Sequence, residues 1–241
     1  MKINIYSPSL TYLNIEKIID FIKSITNVEI DRYEEFSEYV NIDEIIAEKI
    51  AKTRVTDYKK PFKEPVISKD DILSELRMQY SNNTYDGFLF QLIMNSLLKD
   101  YVIHIILTDR LLCTFDDNDY RYHLRSVIFG YPDIISIRGI VEAPAKPREY
   151  YIMAYKYIQE GKSIDGLEEL FKDRIIGYDT RINNVIEGLI LQILKYHIIG
   201  YPFCNNKMCR LYNAHWQEEL INTQINGYIC ENDKDILQRI Q

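Results

Sequence analysis

Leu191-Gln-Ile193-Leu194-Lys195-Tyr-His197-Ile-Ile-Gly200-Tyr-Pro-Phe203-Cys204-Asn-Asn-Lys-Met-Cys209-Arg-Leu211 joins an apolar helical pattern to a pair of cysteines through a glycine. Apolar residues at helical spacing predict a long helix over 181–199, started by Thr180 or Asp179 and stopped by Gly200. The spacing Cys204-x4-Cys209 closes a small loop of the kind that places two thiolates on one zinc. Cys230 follows further on, with Asp233 three residues after it, the spacing of the second half of a knuckle. Zinc takes four ligands, and Asp233 or His215 is the candidate fourth. The alternative is three unrelated buried thiols.

The rest of the chain limits what such a site can serve. With 241 residues it fits one large domain or two small ones and can bury a sizeable core. No apolar run reaches the ~18–20 residues that span a bilayer. The opening Met1-Lys-Ile-Asn-Ile-Tyr6 goes straight into structure rather than a signal peptide, so a cytoplasmic protein is expected, without membrane contact. Net charge is −7, and the densest short basic pair is Lys59-Lys60, so no nucleic acid is expected as partner. In a reducing compartment the four cysteines do not form a disulfide framework. Cys113, alone in an apolar stretch, reads as a core residue. Few Gly and Pro with many Tyr, Ile, Lys and Glu lean towards a thermophile.

Taken in order, 2–6 reads as a strand, 14–25 as a helix and 28–33 as a second strand, an α/β start with a right-handed crossover. A short helix over 43–51 precedes a polar connection over 53–69. Helices are predicted over 70–80, with Ser68 or Asp70 as N-cap, and over 85–99. The near-continuous apolar run 101–107 predicts a strand buried on both faces. Asp116-Asp-Asn-Asp119 reads as a solvated turn, since it lacks the glycine and distal Glu of a calcium loop. Strands are predicted over 126–129 and 134–137, and a loop over 141–146. Helices follow over 148–160, 164–174, 213–223 and 229–240. Strands before residue 140 and helices after it predict an α+β protein.

Beyond the cysteine spacing, His197-Ile-Ile-Gly200-Tyr-Pro-Phe203-Cys204-x4-Cys209-Arg-Leu211 resembles the archaemetzincin family of zinc peptidases, whose pattern is HExxHxxGxxH, then Cys-x4-Cys-x-Met, then CxxC. His197 takes the second catalytic-ligand position and Gly200 the glycine. Cys204, Cys209, Cys230 and Asp233 fall on the structural-zinc positions, and Leu211 stands where the methionine would be. Arg77-Met-Gln79-Tyr80, Leu107-Thr108-Asp109-Arg-Leu111 and Val127-Ile-Phe129-Gly130 are similar to further family segments, so the resemblance covers about residues 70–235, beyond an N-terminal α/β portion over 1–60. Cys209–Trp216 resembles a run found in an archaeal branch of these proteins. The resemblance implies one metzincin-like domain over 1–241: a zincin-like mixed sheet with helices, a long pseudo-active-site helix and a Cys-bound structural zinc.

The departures bear on activity. The first zinc-His position is Ile193, the catalytic Glu position is Leu194 and the third His position is Phe203. A catalytic zinc needs three protein ligands, an open position for water and a carboxylate to take its proton. Ile and Leu supply none of these, and no HExxH occurs elsewhere. The expectation is a pseudoenzyme that binds a protein or peptide, with Trp216 and tyrosines as anchors. The rival is a zinc-dependent hydrolase or peptidase rebuilt around His197, with His104, His123 or His215 as further ligands and Glu218 or Glu219 as base. On a helix over 213–223, His215 and Glu219 would share a face at i, i+4. The plainer readings are a hydrogen-bonded core histidine at 197 and a helix packed by Trp216, Leu220 and Ile221.

Overall fold

The computed structural model describes residues 1–78, 83–100 and 102–239. Gln79 and Tyr80 of the Arg77–Tyr80 segment, the predicted strand start Tyr101 and the predicted helix end Ile240 lie outside the described residues.

The chain opens with β1 (Lys2–Tyr6), α1 (Ile15–Ile25) and β2 (Glu29–Tyr33), then α2 (Phe36–Tyr39), α3 (Glu44–Lys52) and α4 (Lys69–Leu76). Next come β3 (Thr84–Asp86), α5 (Gly87–Leu97), β4 (Ile103–Thr108), β5 (Leu111–Asp116), β6 (Arg121–Arg125), β7 (Val127–Ile128) and β8 (Asp133–Ser136). The remainder is helical: α6 (Ile137–Glu142), α7 (Arg148–Gln159), a 3-10 turn (Leu167–Phe171), α8 (Arg181–Ile199), α9 (Gln217–Gln224) and α10 (Glu231–Gln238). The fold class is α+β with a mixed sheet. Two compact units divide it, one made of residues 1–10 and 28–139, the other of 11–27 and 140–241.

The first unit holds a five-stranded sheet in the order β2-β1-β4-β8-β7. β1, β2, β4 and β8 run parallel and β7 pairs antiparallel with β8. β1, β4 and β8 are almost wholly buried, which explains the nearly continuous apolar run of β4. A second sheet, β3-β5-β6, lies beside it in the chain. Its core joins Tyr6, Phe36, Ile50, Tyr85, Phe90, Met94, Ile106, Leu112, Ile128 and Ile134. Within it, Glu75 is fully enclosed: Oε1 accepts from Arg54 Nη2 and Tyr85 Oη at 2.7 Å each, and Oε2 accepts from Arg110 Nη2 at 2.8 Å. Burial opposes the Glu75 carboxylate, but the two guanidiniums and the tyrosine hold it below its usual range.

In the second unit α8 is the central element. Every residue from Ile182 to Lys195 except Asn184 is buried, so the helix is enclosed nearly all round. It stops because Gly200 adopts φ +74°, and its N–H donates to Tyr196 O at 2.7 Å, a left-handed cap. α1 packs on α8 and is pinned at its start, where Asn183 Oδ1 accepts from Asn14 N at 2.7 Å and its amide donates to Tyr12 O at 2.9 Å. At Gly188 α9 approaches closely: a Cβ there would lie 1.9 Å from Gln224 Oε1.

Several sequence expectations are corrected. The helix predicted over 70–80 runs 69–76 with Ser68 as N-cap, which accepts from Asp71 N. The helix predicted over 85–99 runs 87–97: Tyr85 and Asp86 belong to a strand that pairs with β5, and Asp86 then caps α5. β5 and β6 form a hairpin whose turn is the acidic Asp116–Asp119 stretch. The strand expected over 134–137 ends at Ser136, and α6 replaces the first residues of the loop expected over 141–146. The helix expected over 164–174 is only a 3-10 turn, entered through Gly166 at φ +75°. The helix expected over 213–223 starts at Gln217, because Ala145 N–H donates to His215 O and Gln217 N–H to Ala145 O, which keeps the preceding residues extended.

Candidate metal centre

The loop after α8 folds back on itself before it reaches α9. Cys204 N–H donates to Leu211 O, Cys209 N–H to Asn206 O and Tyr228 N–H to Met208 O. Asn206 N–H points at Cys204 Sγ at 3.5 Å. These bonds set Cys204 and Cys209 on a tight knuckle, with Leu211 buried beneath it. Cys230 is the N-cap of α10 and Asp233 lies on its first turn, with Asp233 N–H donating to Cys230 O. The positive end of that helix favours anionic side chains there.

The four residues converge. Ligand atoms of Cys204, Cys209, Cys230 and Asp233 all lie within 4.8 Å of one another. Cys204 Sγ is 3.7 Å from Cys230 Sγ, and Asp233 Oδ2 is 3.2 Å from Cys209 Sγ and 3.1 Å from Cys230 Sγ. Zinc–sulfur bonds of ~2.3 Å in a tetrahedron place sulfurs about 3.8 Å apart, so this donor set fits a tetrahedral metal. The cysteines form no disulfide. Without a metal, burial pushes the Cys204 and Cys209 thiols up. Burial also works against the Asp233 carboxylate, but the bond from Lys195 and those from the thiols hold it below the usual range. His215, the other candidate fourth ligand, is not in this group.

Lys195 was not singled out in the sequence. It projects from α8 and donates to Asp233 Oδ1 and to Phe203 O, each at 2.7 Å. The only sequence signal for it is a lysine inside the apolar run of α8; its partner lies 38 positions away.

The other candidates are placed elsewhere. Ile193 and Leu194 are buried in the core with no exposed surface. His197 is half-buried and its ring packs edge-on against Tyr196 at 5.4 Å. Among the described residues His197 belongs to no group of three candidate metal ligands. His215 and Trp216 precede α9 instead of lying on it, so His215 and Glu219 share no helix face. Glu219 instead accepts from the backbone N–H of His215 and Trp216 at 2.9 and 3.2 Å, an end cap for α9. Glu218 accepts from Arg174 Nε at 2.8 Å.

In the first unit, His104 is fully buried, bonded to Tyr6 Oη at 2.7 Å and Asp100 Oδ1 at 2.6 Å. His123 bonds Asp119 at 2.8 Å, and with Asp116 these form a second group whose ligand atoms lie within 4.8 Å. That carboxylate also takes Arg121 Nε at 2.7 Å, as expected of a solvated turn.

The fold and this cluster define an α+β protein with three thiols and a carboxylate placed to hold a metal ion. The profile of the probable metallopeptidase family DUF6775 matches residues 1–240, and the chain belongs to that family. A search of curated proteins gives no match. Among solved structures, archaemetzincin from Methanopyrus kandleri aligns at 11% identity and a TM-score of 0.49, covering 99% of this chain and 94% of that one. Archaemetzincin from Archaeoglobus fulgidus, complexed with malonate, aligns at 10% and 0.47, covering 98% and 99%. A zinc-dependent peptidase from Methanocorpusculum labreanum aligns at 12% and 0.41, covering 99% and 100%. Among the described residues no helix is long and apolar enough to cross a membrane.

Proposed function

We propose that this chain is a cytoplasmic pseudoenzyme of its metallopeptidase family: it holds one structural zinc and binds a polypeptide without cutting it. The observation that carries the reading is the contrast along α8 and its loop. The Cys204, Cys209, Cys230 and Asp233 ligand atoms converge, while Ile193 and Leu194, where a first histidine and a base would be needed, are sealed in the core. When bound, the zinc would tie the knuckle loop to α10 and contribute folding energy directly. Glu218 and Glu219, the candidate bases, are engaged by Arg174 and by backbone N–H groups. Tyr201, Met208, Trp216 and Tyr228, each about half exposed, are the anchors for a polypeptide partner.

The test combines metal analysis with a cleavage assay on an unfolded polypeptide. One zinc per chain, lost in Cys204→Ser, with no cleavage but measurable binding, is expected. Cleavage that disappears in His197→Ala together with a second equivalent of zinc would establish the rebuilt hydrolase instead.

A further inference from the structure

We propose that Lys195 is the positioning residue that makes Asp233 the fourth metal ligand, so that α8 carries the outer-shell cation of the metal centre. The inference rests on the reading of Cys204, Cys209, Cys230 and Asp233 as a zinc site.

The Asp233 carboxylate is divided between two tasks. Oδ2 faces the thiols, at 3.2 Å from Cys209 Sγ and 3.1 Å from Cys230 Sγ. Oδ1 faces away and accepts from Lys195 Nζ at 2.7 Å. The same ammonium donates to Phe203 O, one residue before Cys204. A single cation therefore ties the carboxylate ligand to the backbone that sets a thiolate ligand. The side chains of Lys195 and Asp233 are 5% and 0% exposed, so water does not screen the pair.

Two consequences follow from charge and geometry. Zinc with three thiolates and one carboxylate carries −2, from +2 and four single negative charges, and one adjacent ammonium halves that buried charge. A carboxylate, unlike a thiolate, has a second oxygen that can also close on the metal. With Oδ1 held by Lys195, Asp233 offers one oxygen, and coordination stays at four. Outer-shell partners of this kind typically change metal affinity by ~10–100-fold. Lys195 and Asp233 are thus a matched pair: a cysteine at 233 has no second oxygen for the ammonium, which keeps only its bond to Phe203 O.

The test uses the full chain, with zinc affinity read by chelator competition and ligand geometry by the absorption of the cobalt(II)-substituted protein. Lys195→Met is expected to weaken zinc by ~10–100-fold and to change the cobalt bands. Lys195→Arg, which keeps the cation, is expected to lose less. Asp233→Cys alone is expected to bind poorly, and the double variant Lys195→Met/Asp233→Cys to recover affinity with an all-thiolate cobalt spectrum. Lys195→Met with wild-type affinity and spectrum overturns the inference. So does a double variant no better than Asp233→Cys, since Lys195 would then act through packing alone; this arm also decides the case if Lys195→Met does not fold. A wild-type chain that takes up neither zinc nor cobalt overturns the metal-site reading and this inference with it.

Discussion

Lys195 Nζ and Asp233 Oδ1 lie 2.7 Å apart, with both side chains withdrawn from solvent, and they join the C-terminal part of α8 to the first turn of α10. An ion pair so deeply buried is weak evidence for stability by itself, because desolvation offsets much of its attraction. Here one partner also faces three thiols, so the pair has a role that an apolar substitute could not fill.

Metal removal should loosen the second unit. Cys209→Ser, or a strong chelator on the wild type, is expected to release zinc and lower the melting temperature by on the order of 10 °C, equivalent to ~3 kcal/mol for a chain of this size. Burial raises the Cys204 and Cys209 thiols, so the metal must displace protons to bind. Zinc affinity should accordingly fall as pH falls, and metal-release curves from pH 8 to 5 in a competing dye measure it.

His197→Ala should leave zinc content unchanged. The ring is half-buried against Tyr196 and stands outside the cysteine cluster. The expected cost is about 1 kcal/mol, read as a shift of a few degrees in the melt. Elemental analysis of the same preparation checks the metal.

Glu75→Gln should be among the most damaging single changes in the first unit. It leaves the Arg54 and Arg110 guanidiniums, both nine-tenths buried, without their shared counter-charge. Breaking one side of a buried ion network costs ~3–5 kcal/mol. Denaturant unfolding of the variant, compared with Glu75→Asp, measures the loss.

Ser68→Ala removes the capping box of α4, in which Ser68 and Asp71 bond each other's backbone N–H. The cap contributes about 1 kcal/mol. The Ser68 hydroxyl and N–H, and then Arg54, lower the Asp71 carboxyl to about 2. A carboxyl depressed on folding stabilises the native state above its unfolded value near 3.8, and that contribution is lost as pH falls through about 2. In Ser68→Ala the folded-state value moves back toward 3.8, so the contribution is smaller and its loss is complete at a higher pH. A carboxyl carbon NMR titration of Asp71 reads the shift directly.

The helix over 181–199 and its glycine stop follow from apolar spacing and a residue that tolerates φ +74°. The pairing of Cys204 with Cys209 and of Cys230 with Asp233 follows from short spacings, and the structure brings all four side chains together. The central strand β4 is legible because burial on both faces favours a nearly continuous apolar run. Other features carried no local signal. Residues 84–86 are strand because β5 and the backbone around Arg54 lie alongside them, and β6 is strand because β5 pairs with it. His215 and Trp216 sit outside α9 because Ala145, some seventy residues earlier, holds their backbone extended.

The sequence alone determined the α+β class, the central helix and the three thiols of the candidate metal centre, because periodicity, capping and short loops act between near neighbours. The tertiary structure decided that Asp233 and not His215 stands with the thiols, that Lys195 lies behind it, and that Glu219 caps α9. Those depend on side chains brought within ~3 Å by packing of segments far apart in the chain.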